Sequence, residues 1–322
     1  MQLLKEITQL NSLACNSPLH KLQLPYGNLY AKLEYTNFMG SIKDRPAFYI
    51  LTNAIKDNLI DEDSVVVEST SGNFGIALAG ICRKLRIKFI PVIDPNITTE
   101  KENLLQFLSY DVIKVKEKDA TGGYLLTRID TVQQFLRENP GSYNPNQYTN
   151  EDNYLSYYHT LGKELCDSFS RLDYAFMAVS SGGTITGTAL RLKEKFPDVK
   201  IIAVDVKGSL IFDNKPQERR ISGLGASMRS PILDLAPIDD VMILSQMEIV
   251  RGCNNLLNEH GIFAGGSGGA AYYAAASYLK KLNKSNVNAM FICPDKGLAY
   301  LDNIYNKEWV NTYIKEKELS VV

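Results

Sequence analysis

Cysteine and histidine are scarce in this chain. Its 322 residues include five cysteines and three histidines, and no two cysteines form a C-x-x-C pair. These scattered positions predict neither a disulfide framework nor a zinc site, and three histidines are too few to favour a histidine-based metal centre. We therefore expect a reduced, cytoplasmic protein without a bound metal.

Long apolar runs and a surplus of one charge are also missing. No apolar run approaches the roughly 20 residues that span a bilayer, and Lys5 and Glu6 interrupt the N-terminal stretch where a signal peptide would be continuous. Lysine and arginine number 35 against 36 aspartates and glutamates, so no basic surplus favours nucleic acid or an anionic membrane. An enzyme that acts on small molecules is the better interpretation.

Short β-rich segments alternate with longer helical ones. This alternation predicts parallel sheets, and runs such as 65–67 and 201–204 are apolar on both faces, as in strands covered by helices on both sides. The predicted strands are 29–35, 64–70, 88–94, 111–116, 174–180, 201–206, 240–245 and 289–294. The predicted helices include 47–58, 73–85, 98–109, 124–137, 154–168, 247–259 and 269–282.

A stretch rich in Asn, Pro, Tyr and Gly, residues 138–153, separates two groups of strands. We interpret it as a domain junction, because the length of the chain also favours two domains. The expected fold class is α/β, with two open α/β domains whose sheets are largely parallel. In such folds ligands bind beyond the carboxyl ends of the strands, so the loops there are the candidate site.

Four segments carry residue types that suit a ligand site. ESTSGNFG (68–75) offers hydroxyls, an amide and helix N-terminal N–H groups, which suit a carboxylate. SSGGTITG (180–187) has small residues that let the backbone surround a phosphate, although it lacks the lysine of a Walker A loop. The other two are GIFAGGSGGAA (261–271), which contains Ser267, and GSIKDRP (40–46), which places Lys43 before a proline-led helix.

Each segment also has an ordinary explanation when it is taken alone. Ser, Thr and Asn are favoured as helix caps, glycines allow tight helix packing, and most lysines are solvated surface charges. The four segments occur together at strand ends, and this favours a functional interpretation.

Together the segments resemble the β-family, or fold type II, of pyridoxal-phosphate enzymes, which includes cysteine synthase, cystathionine β-synthase and serine or threonine dehydratases. The resemblance covers nearly the whole chain in the family's order. It implies a tryptophan synthase β-like fold, with a smaller movable substrate-binding domain at 35–144 and a larger cofactor-binding domain formed by 1–34 and 145–322. Further matching segments are NSPLHKL (16–22), NQYTN (146–150), ISGLGAS (221–227) and CPDKGLAYL (293–301).

The resemblance also implies roles for individual residues. Lys43 would form the internal aldimine with pyridoxal 5'-phosphate and then move the substrate α-proton, which requires an amine that burial can make neutral. Ser267 would face the pyridine nitrogen, and its neutral hydroxyl favours β-elimination to an α-aminoacrylate over transamination. The other cofactor contacts would be Asn73 at the ring oxygen and Ser181, Gly182, Gly183 and Thr184 at the phosphate. The substrate α-carboxylate would be bound by Thr70, Ser71, Asn73 and Gln147.

Several residues depart from the usual cysteine synthase pattern, namely Ser69, Phe74, Tyr148 and Ser180. The segments ESTSGN, GGYLLTRI (122–129), VDVKGSLIF (204–212) and GIFAGGS more closely resemble N-(2-amino-2-carboxyethyl)-L-glutamate synthases. Those enzymes join O-phospho-L-serine to the amine of L-glutamate and make a precursor of 2,3-diaminopropionate for siderophores. Leu298 and Ala299 depart from an acidic–basic pair that many relatives carry.

In this narrower group Arg128 is expected to bind the donor phosphate or a glutamate carboxylate through its planar fork, with Tyr148 and Ser180 adding polar contacts. A surface arginine paired with a carboxylate is the plainer interpretation. The main alternative function is a cysteine synthase or a related enzyme that uses a thiol or sulfide, with acetylserine or phosphoserine as donor. A short dehydratase and an inactive relative that only binds the cofactor or a partner are further alternatives. The resemblance also implies a homodimer.

Overall fold

The computed structural model describes residues 2–120, 122–213 and 215–319. It confirms the α/β class with largely parallel strands, which form a six-stranded and a three-stranded sheet. The strands are β1 (Leu19–Leu22), β2 (Asn28–Leu33), β3 (Val65–Ser69), β4 (Lys88–Ile93), β5 (Ile113–Lys114), β6 (Tyr174–Ala178), β7 (Lys200–Val206), β8 (Asp240–Leu244) and β9 (Asn288–Cys293). The helices are α1 (Gln2–Asn11), α2 (Asp44–Lys56), α3 (Asn73–Leu85), α4 (Thr99–Leu108), α5 (Leu125–Glu138), α6 (Glu151–Tyr157), α7 (Lys163–Ser168), α8 (Gly183–Lys195), α9 (Gln246–His260), α10 (Gly266–Leu282) and α11 (Lys307–Leu319).

The larger sheet has the strand order β1-β2-β9-β6-β7-β8. β1 pairs antiparallel with β2, and the other neighbours pair parallel. Helices α9 and α10 pack on one face, while α6, α7 and α8 pack on the other. Because both faces are covered, β7 is buried from Ile201 to its end, which explains its continuous apolar sequence.

The smaller sheet has the order β3-β4-β5 and is parallel throughout its described strands. Helices α2 and α3 cover one face and α5 covers the other. Helix α1 joins the core of this smaller sheet through Leu3, Ile7 and Leu10, although the sequence interpretation grouped residues 1–34 with the larger domain. The domain boundaries remain a prediction.

The predicted junction at 138–153 forms backbone hydrogen bonds with the smaller sheet. Tyr143 donates its N–H to the Val65 carbonyl (2.8 Å) and accepts from the Val67 N–H (2.9 Å), so the chain runs beside β3 before α6 begins. The same contacts bring the following residues, 144–147, next to the carboxyl end of β3.

Helices α6 and α7 are joined into one continuous helix by a π turn, Tyr158–Gly162. After this turn Glu164 contacts Arg45 (Nη1–Oε1, 2.8 Å) and Lys32 (Nζ–Oε2, 2.7 Å), and Arg45 also pairs with Glu34 (2.6 Å). The Arg45 and Glu34 side chains are fully buried, so removing one partner would leave an uncompensated charge at a cost of about 3–5 kcal/mol. This network fixes the first turn of α2, directly after Lys43.

Most predicted elements are confirmed within a few residues, but some differ. The predicted strand 111–116 is reduced to Ile113–Lys114, and the predicted loops 180–187 and 261–271 are partly helical because α8 begins at Gly183 and α10 at Gly266. Helices α1, α8 and α11 and strand β1 were not among the predicted elements. All five cysteines are free thiols. In the part of the chain that the structure describes, no helix combines the length and apolarity needed to cross a membrane.

Candidate active site

A cavity of about 660 Å³ lies where the two sheets meet, beyond the carboxyl ends of their strands. This is the position expected for a ligand site in open α/β folds. The cavity brings together every residue that the sequence singled out for the site except Gly183, which is not part of the lining. Its lining includes Lys43, Thr70, Ser71, Asn73, Arg128, Gln147, Tyr148, Ser180, Ser181, Gly182, Thr184 and Ser267.

Lys43 is placed by a turn held against the larger sheet. The Ile42 N–H donates to the Pro294 carbonyl (2.8 Å), and Ser41 bridges to Asp295. From the residue before α2, the Lys43 amine reaches Ser181 and donates to its Oγ (3.2 Å). Burial lowers the pKa of Lys43 to about 8, although the Glu68 carboxyl opposes this shift. An amine of this pKa is partly neutral near physiological pH and is therefore available as a nucleophile or base.

The glycines of the 180–184 segment are required by the packing behind it. Gly182 has φ of 87°, a conformation that favours glycine, and a side chain on Gly183 would collide with the Asn153 amide. Because α8 begins at Gly183, its first free N–H groups and the Ser181 and Thr184 hydroxyls border one end of the cavity. This geometry suits a phosphate group.

The 69–73 segment turns from β3 into α3, which begins at Asn73 as predicted. Thr70 Oγ1 accepts the Gly75 N–H (2.9 Å), and Ser71 Oγ donates to Asp94 Oδ2 (2.8 Å). Asn73 Nδ2 donates to Asp295 Oδ2 (2.7 Å). The hydroxyls and amide are thus held around the N-terminus of α3, where a carboxylate is favoured.

Gln147 is held beside this segment by a buried acid, Glu68. Glu68 Oε2 accepts from the Asn146 N–H (2.7 Å) and from Asn144 Nδ2 (3.1 Å), and the Gln147 side chain donates to the Ser69 carbonyl (3.4 Å). Burial raises the pKa of Glu68 to about 8. Glu68 therefore links β3 to the segment that carries Gln147.

The predicted substrate side of the cavity is polar, but Arg128 already has a partner. Its Nη1 donates to Ser71 Oγ (3.1 Å), and its Nε lies 3.1 Å from Asp94 Oδ2. Tyr148 lies beside Arg128, and burial raises the pKa of its phenol. Ser180 Oγ donates to the Gly225 carbonyl (3.3 Å). Arg128 is thus paired with a carboxylate, as the plainer interpretation expected, but this pair lies in the cavity and not on the outer surface.

Ser267 is the second residue of α10 and is 4% exposed, so it is a helical residue rather than a loop residue. The neighbouring glycines serve packing, because a side chain on Gly269 would collide with Cys253 and one on Gly268 would lie 3.3 Å from the Cys293 backbone. The glycines thus allow close packing, as the plainer interpretation expected, and Ser267 lines the cavity, while its role toward a ligand stays a prediction.

Among the polar residues of this region that sequence reasoning missed are Glu68, Asp94, Lys101, Arg219 and Asp295. Asp94 directly follows β4 and Asp295 lies two residues after β9, so strand-end position was an available signal for both. Glu68 begins the predicted segment 68–75 but received no role there, and it lies within β3 rather than after it. Lys101 lies within a helix and Arg219 in an irregular segment, so the sequence offered no comparable signal for these two. Leu298, which departs from the family pattern, is 53% exposed and does not line the cavity.

The residues present fit pyridoxal phosphate. The Lys43 amine, whose pKa burial lowers, lies 3.2 Å from the Ser181 hydroxyl. Ser181 belongs to residues 181–184 at the N-terminus of α8, which we call the phosphate cup. An amine beside such a cup suits a molecule that carries both an aldehyde and a phosphate. Lys43 would hold the aldehyde carbon, residues 181–184 the phosphate, and Ser267 the ring nitrogen.

Comparison with known proteins agrees with this fit. Residues 10–293 match the family model described as pyridoxal-phosphate dependent enzyme. An O-acetylserine dependent cystathionine β-synthase from Helicobacter pylori is 30% identical with a TM-score of 0.85, over 92% of this chain and 98% of its own. A hydrogen sulfide-producing enzyme from Fusobacterium nucleatum is 29% identical with a TM-score of 0.85, over 91% and 99%.

An O-ureido-L-serine synthase is 25% identical with a TM-score of 0.84, over 92% of this chain and 95% of its own. The family model covers most of the chain, and the solved relatives share its length as well as its fold. The chain therefore belongs to the pyridoxal-phosphate dependent enzyme family, as a β-replacement enzyme of the cysteine synthase kind.

Proposed function

We propose that the enzyme joins O-phospho-L-serine to the amine of L-glutamate, giving N-(2-amino-2-carboxyethyl)-L-glutamate and phosphate. The bound cofactor would supply the electron sink that lets a proton leave Cα and the phosphate leave Cβ. The protein then has three tasks: to hold the α-carboxylate, to move the α-proton and to recognise two anionic substrates.

The α-carboxylate would be bound at the N-terminus of α3. Thr70, Ser71, Asn73 and Gln147 surround this terminus, and the partial positive charge of the helix end favours an anion there. The donor amino acid is thereby oriented with its Cα toward Lys43. The burial that lowers the pKa of Lys43 to about 8 makes its amine suitable for taking the α-proton and returning it to the product.

The observation that carries the choice of substrates is the polar substrate side of the cavity. Arg128, Tyr148 and Ser180 line one cavity of about 660 Å³, which leaves room for a second amino acid. Sulfide is small and needs neither this volume nor these donors. A dianionic phosphate does require donors, because an unpaired buried charge is costly.

The alternative is a thiol- or sulfide-using enzyme; two of the solved relatives are described as an O-acetylserine dependent cystathionine β-synthase and a hydrogen sulfide-producing enzyme. A donor-by-nucleophile screen separates the two: phosphoserine, acetylserine and serine are each combined with glutamate, aspartate, cysteine and sulfide, and products are identified by mass spectrometry. Phosphoserine with glutamate should give the fastest product formation. Faster turnover of sulfide or cysteine with either donor would replace our proposal by the alternative.

Three further properties are proposed on the same basis. The product would serve as a 2,3-diaminopropionate precursor in siderophore synthesis, in the cytoplasm. The protein would be a homodimer, which sedimentation velocity tests, since a monomer at all concentrations contradicts it. Residues 35–144 would close over the substrate, and solution scattering with and without phosphoserine tests this movement.

A further inference from the structure

The cationic residues that line the cavity differ in whether a carboxylate pairs with them. Arg128, the cation expected to bind substrate, contacts Asp94 at 3.1 Å. The lining also contains Lys43, Lys101, Lys118, Arg219 and Arg220. Among these, Lys101 and Arg219 have no carboxylate within ion-pair distance in the part of the chain that the structure describes. Neither residue is therefore neutralised by a direct ion pair, although the buried carboxylate of Asp205 attracts Arg219 from farther away.

Lys101 is the more deeply buried of the two. It lies in the first turn of α4 and is 5% exposed. Its ammonium lies 5.6 Å from the centre of the Tyr300 ring, a contact that stabilises a cation only weakly. Because lysine is rarely buried unless it is paired, a side chain in this position indicates that an anion occupies the neighbouring cavity during function.

Arg219 approaches from the irregular segment between β7 and β8 and is half-buried. Its Nη2 donates to Ser227 Oγ (3.1 Å), and burial lowers the pKa of its guanidinium. Its Nη1 packs so close to Gly225 that a side chain there would lie 2.9 Å from it. Since Gly225 also accepts from Ser180 (3.3 Å), Arg219 lies on the same substrate side as Ser180.

Tyr300 contacts Lys101 and also the segment that follows Arg219. Lys101 lies over its ring, and its hydroxyl donates to the Ser222 carbonyl (3.3 Å), three residues after Arg219. Lys101 belongs to the smaller sheet's helices and Arg219 to the larger sheet. Both residues line the same cavity.

We propose that Lys101 and Arg219 form an anion subsite for the distal carboxylate of the second amino-acid substrate, the carboxylate remote from its attacking amine. This inference rests on the proposed function and deepens it. Arg128 with Tyr148 remains next to Ser71 and the donor's α-carboxylate site, whereas the Lys101–Arg219 subsite has no part in holding the cofactor or the donor. It would select an acidic nucleophile over a neutral one of the same shape.

The test compares glutamate with glutamine, which differ in the distal charge but hardly in size. Holoenzyme variants Lys101→Gln, Arg219→Gln and Arg219→Lys are assayed in two stages, donor consumption without nucleophile and the subsequent reaction with each nucleophile. Binding of glutarate, a dicarboxylate that lacks the amine, is measured by calorimetry as a readout independent of turnover. Arg229→Gln is the matched control, because Arg229 lies in the same segment, pairs with Asp234 at 2.9 Å and does not line the cavity.

The expected result is a loss of about 10–100-fold in kcat/KM for glutamate in both Gln variants, with glutamine and donor consumption unchanged. Glutarate binding should weaken in parallel, Arg219→Lys should restore part of both, and Arg229→Gln should match the wild type. If Lys101→Gln does not fold, Arg219→Gln decides alone.

Three outcomes overturn the subsite. These are an equal loss for glutamate and glutamine, an equal loss in the Arg229 control, and slower consumption of phosphoserine but not acetylserine, which would assign the cations to the donor phosphate. Failure of the proposed function is recognised separately, because a wild-type enzyme that reacts with sulfide and with neither glutamate nor glutamine rejects it before any variant is made.

Discussion

Asn73 donates from Nδ2 to Asp295 Oδ2 across 2.7 Å, and this hydrogen bond joins the first residue of α3 to the segment after β9. A primary amide has two N–H donors, so the contact fixes the side chain while leaving one donor free for the cavity. Asp295 thereby positions a residue that the sequence assigned to both cofactor and substrate.

Replacing Asp295 should disturb this arrangement. Asp295→Ala leaves the Asn73 amide without this acceptor and leaves the Tyr300 hydroxyl, now 3.1 Å from Oδ2, with the longer contact to the Ser222 carbonyl (3.3 Å). We expect stability to fall by about 1–3 kcal/mol together with a lower kcat/KM for the donor. Tyr300→Phe removes only the second donor and serves as the control. Urea unfolding and donor kinetics check both, and equal effects of the two substitutions would show that the Asn73 contact contributes nothing.

Lys43→Ala should abolish turnover but not all cofactor binding. The amine that would attach the cofactor is lost, whereas the 181–184 cup and Ser267 remain. Borohydride reduction followed by mass spectrometry should find the cofactor on Lys43 in the wild type and no attachment in the variant, while equilibrium dialysis still detects bound pyridoxal phosphate. A variant that binds none would contradict the role of the cup.

The pairing of Arg128 with Asp94 changes what an Arg128 substitution measures. Arg128→Ala removes the guanidinium and also exposes the Asp94 charge to the donor. We expect a loss of about 10–100-fold in kcat/KM for phosphoserine and under about threefold for acetylserine. Arg128→Ala combined with Asp94→Asn should recover part of the loss, because the repulsive charge is gone. Equal losses for both donors would assign Arg128 a structural role only.

Glu68 should make stability depend on pH. Burial raises the pKa of Glu68 in the folded protein to about 8, above its value in the unfolded chain. The contribution of Glu68 to the free energy of unfolding is therefore fully present below the unfolded pKa and is lost as pH rises through about 8. Glu68→Gln removes this titration and keeps an oxygen to accept the Asn146 N–H. Between pH 5 and 8 the wild type should therefore lose roughly 1–3 kcal/mol more unfolding free energy than the variant. Urea unfolding at several pH values measures this, and parallel curves would contradict it.

Periodicity and turn residues were sufficient to predict most of the framework. All eight predicted strands exist, and α3 begins and ends where the pattern placed it, because its apolar face and its small N-terminal residues both reflect local packing. Gly183 and Ser267 were assigned to loops because glycine-rich sequence is typical of loops. In the structure Gly183 begins α8, and Ser267 lies in the first turn of α10. Gly183 leaves room for Asn153, and Gly269 in α10 leaves room for Cys253.

The electrostatics of the site could not be predicted in the same way. Lys101 and Arg219 are ordinary charged residues in sequence, and only tertiary packing places them at the cavity with no direct ion pair to a described carboxylate. In the Glu34–Arg45–Glu164 network the contact between Arg45 and Glu164 joins residues 119 positions apart along the chain, and no local pattern contains that information.

The π turn at 158–162 sets the angular phase of the helix in which it lies. Upstream of it Asn153 packs behind the phosphate cup, and downstream Glu164 reaches Arg45 and Lys32. Each residue of an α-helix advances the azimuth by about 100°, so deleting one residue to regularise the turn would rotate Glu164 away from both cations. The π turn therefore lets one continuous helix direct Asn153 toward residues 181–184 and Glu164 toward Arg45 and Lys32. A homologue without the turn would need the acid that replaces Glu164 one position earlier or later in its sequence.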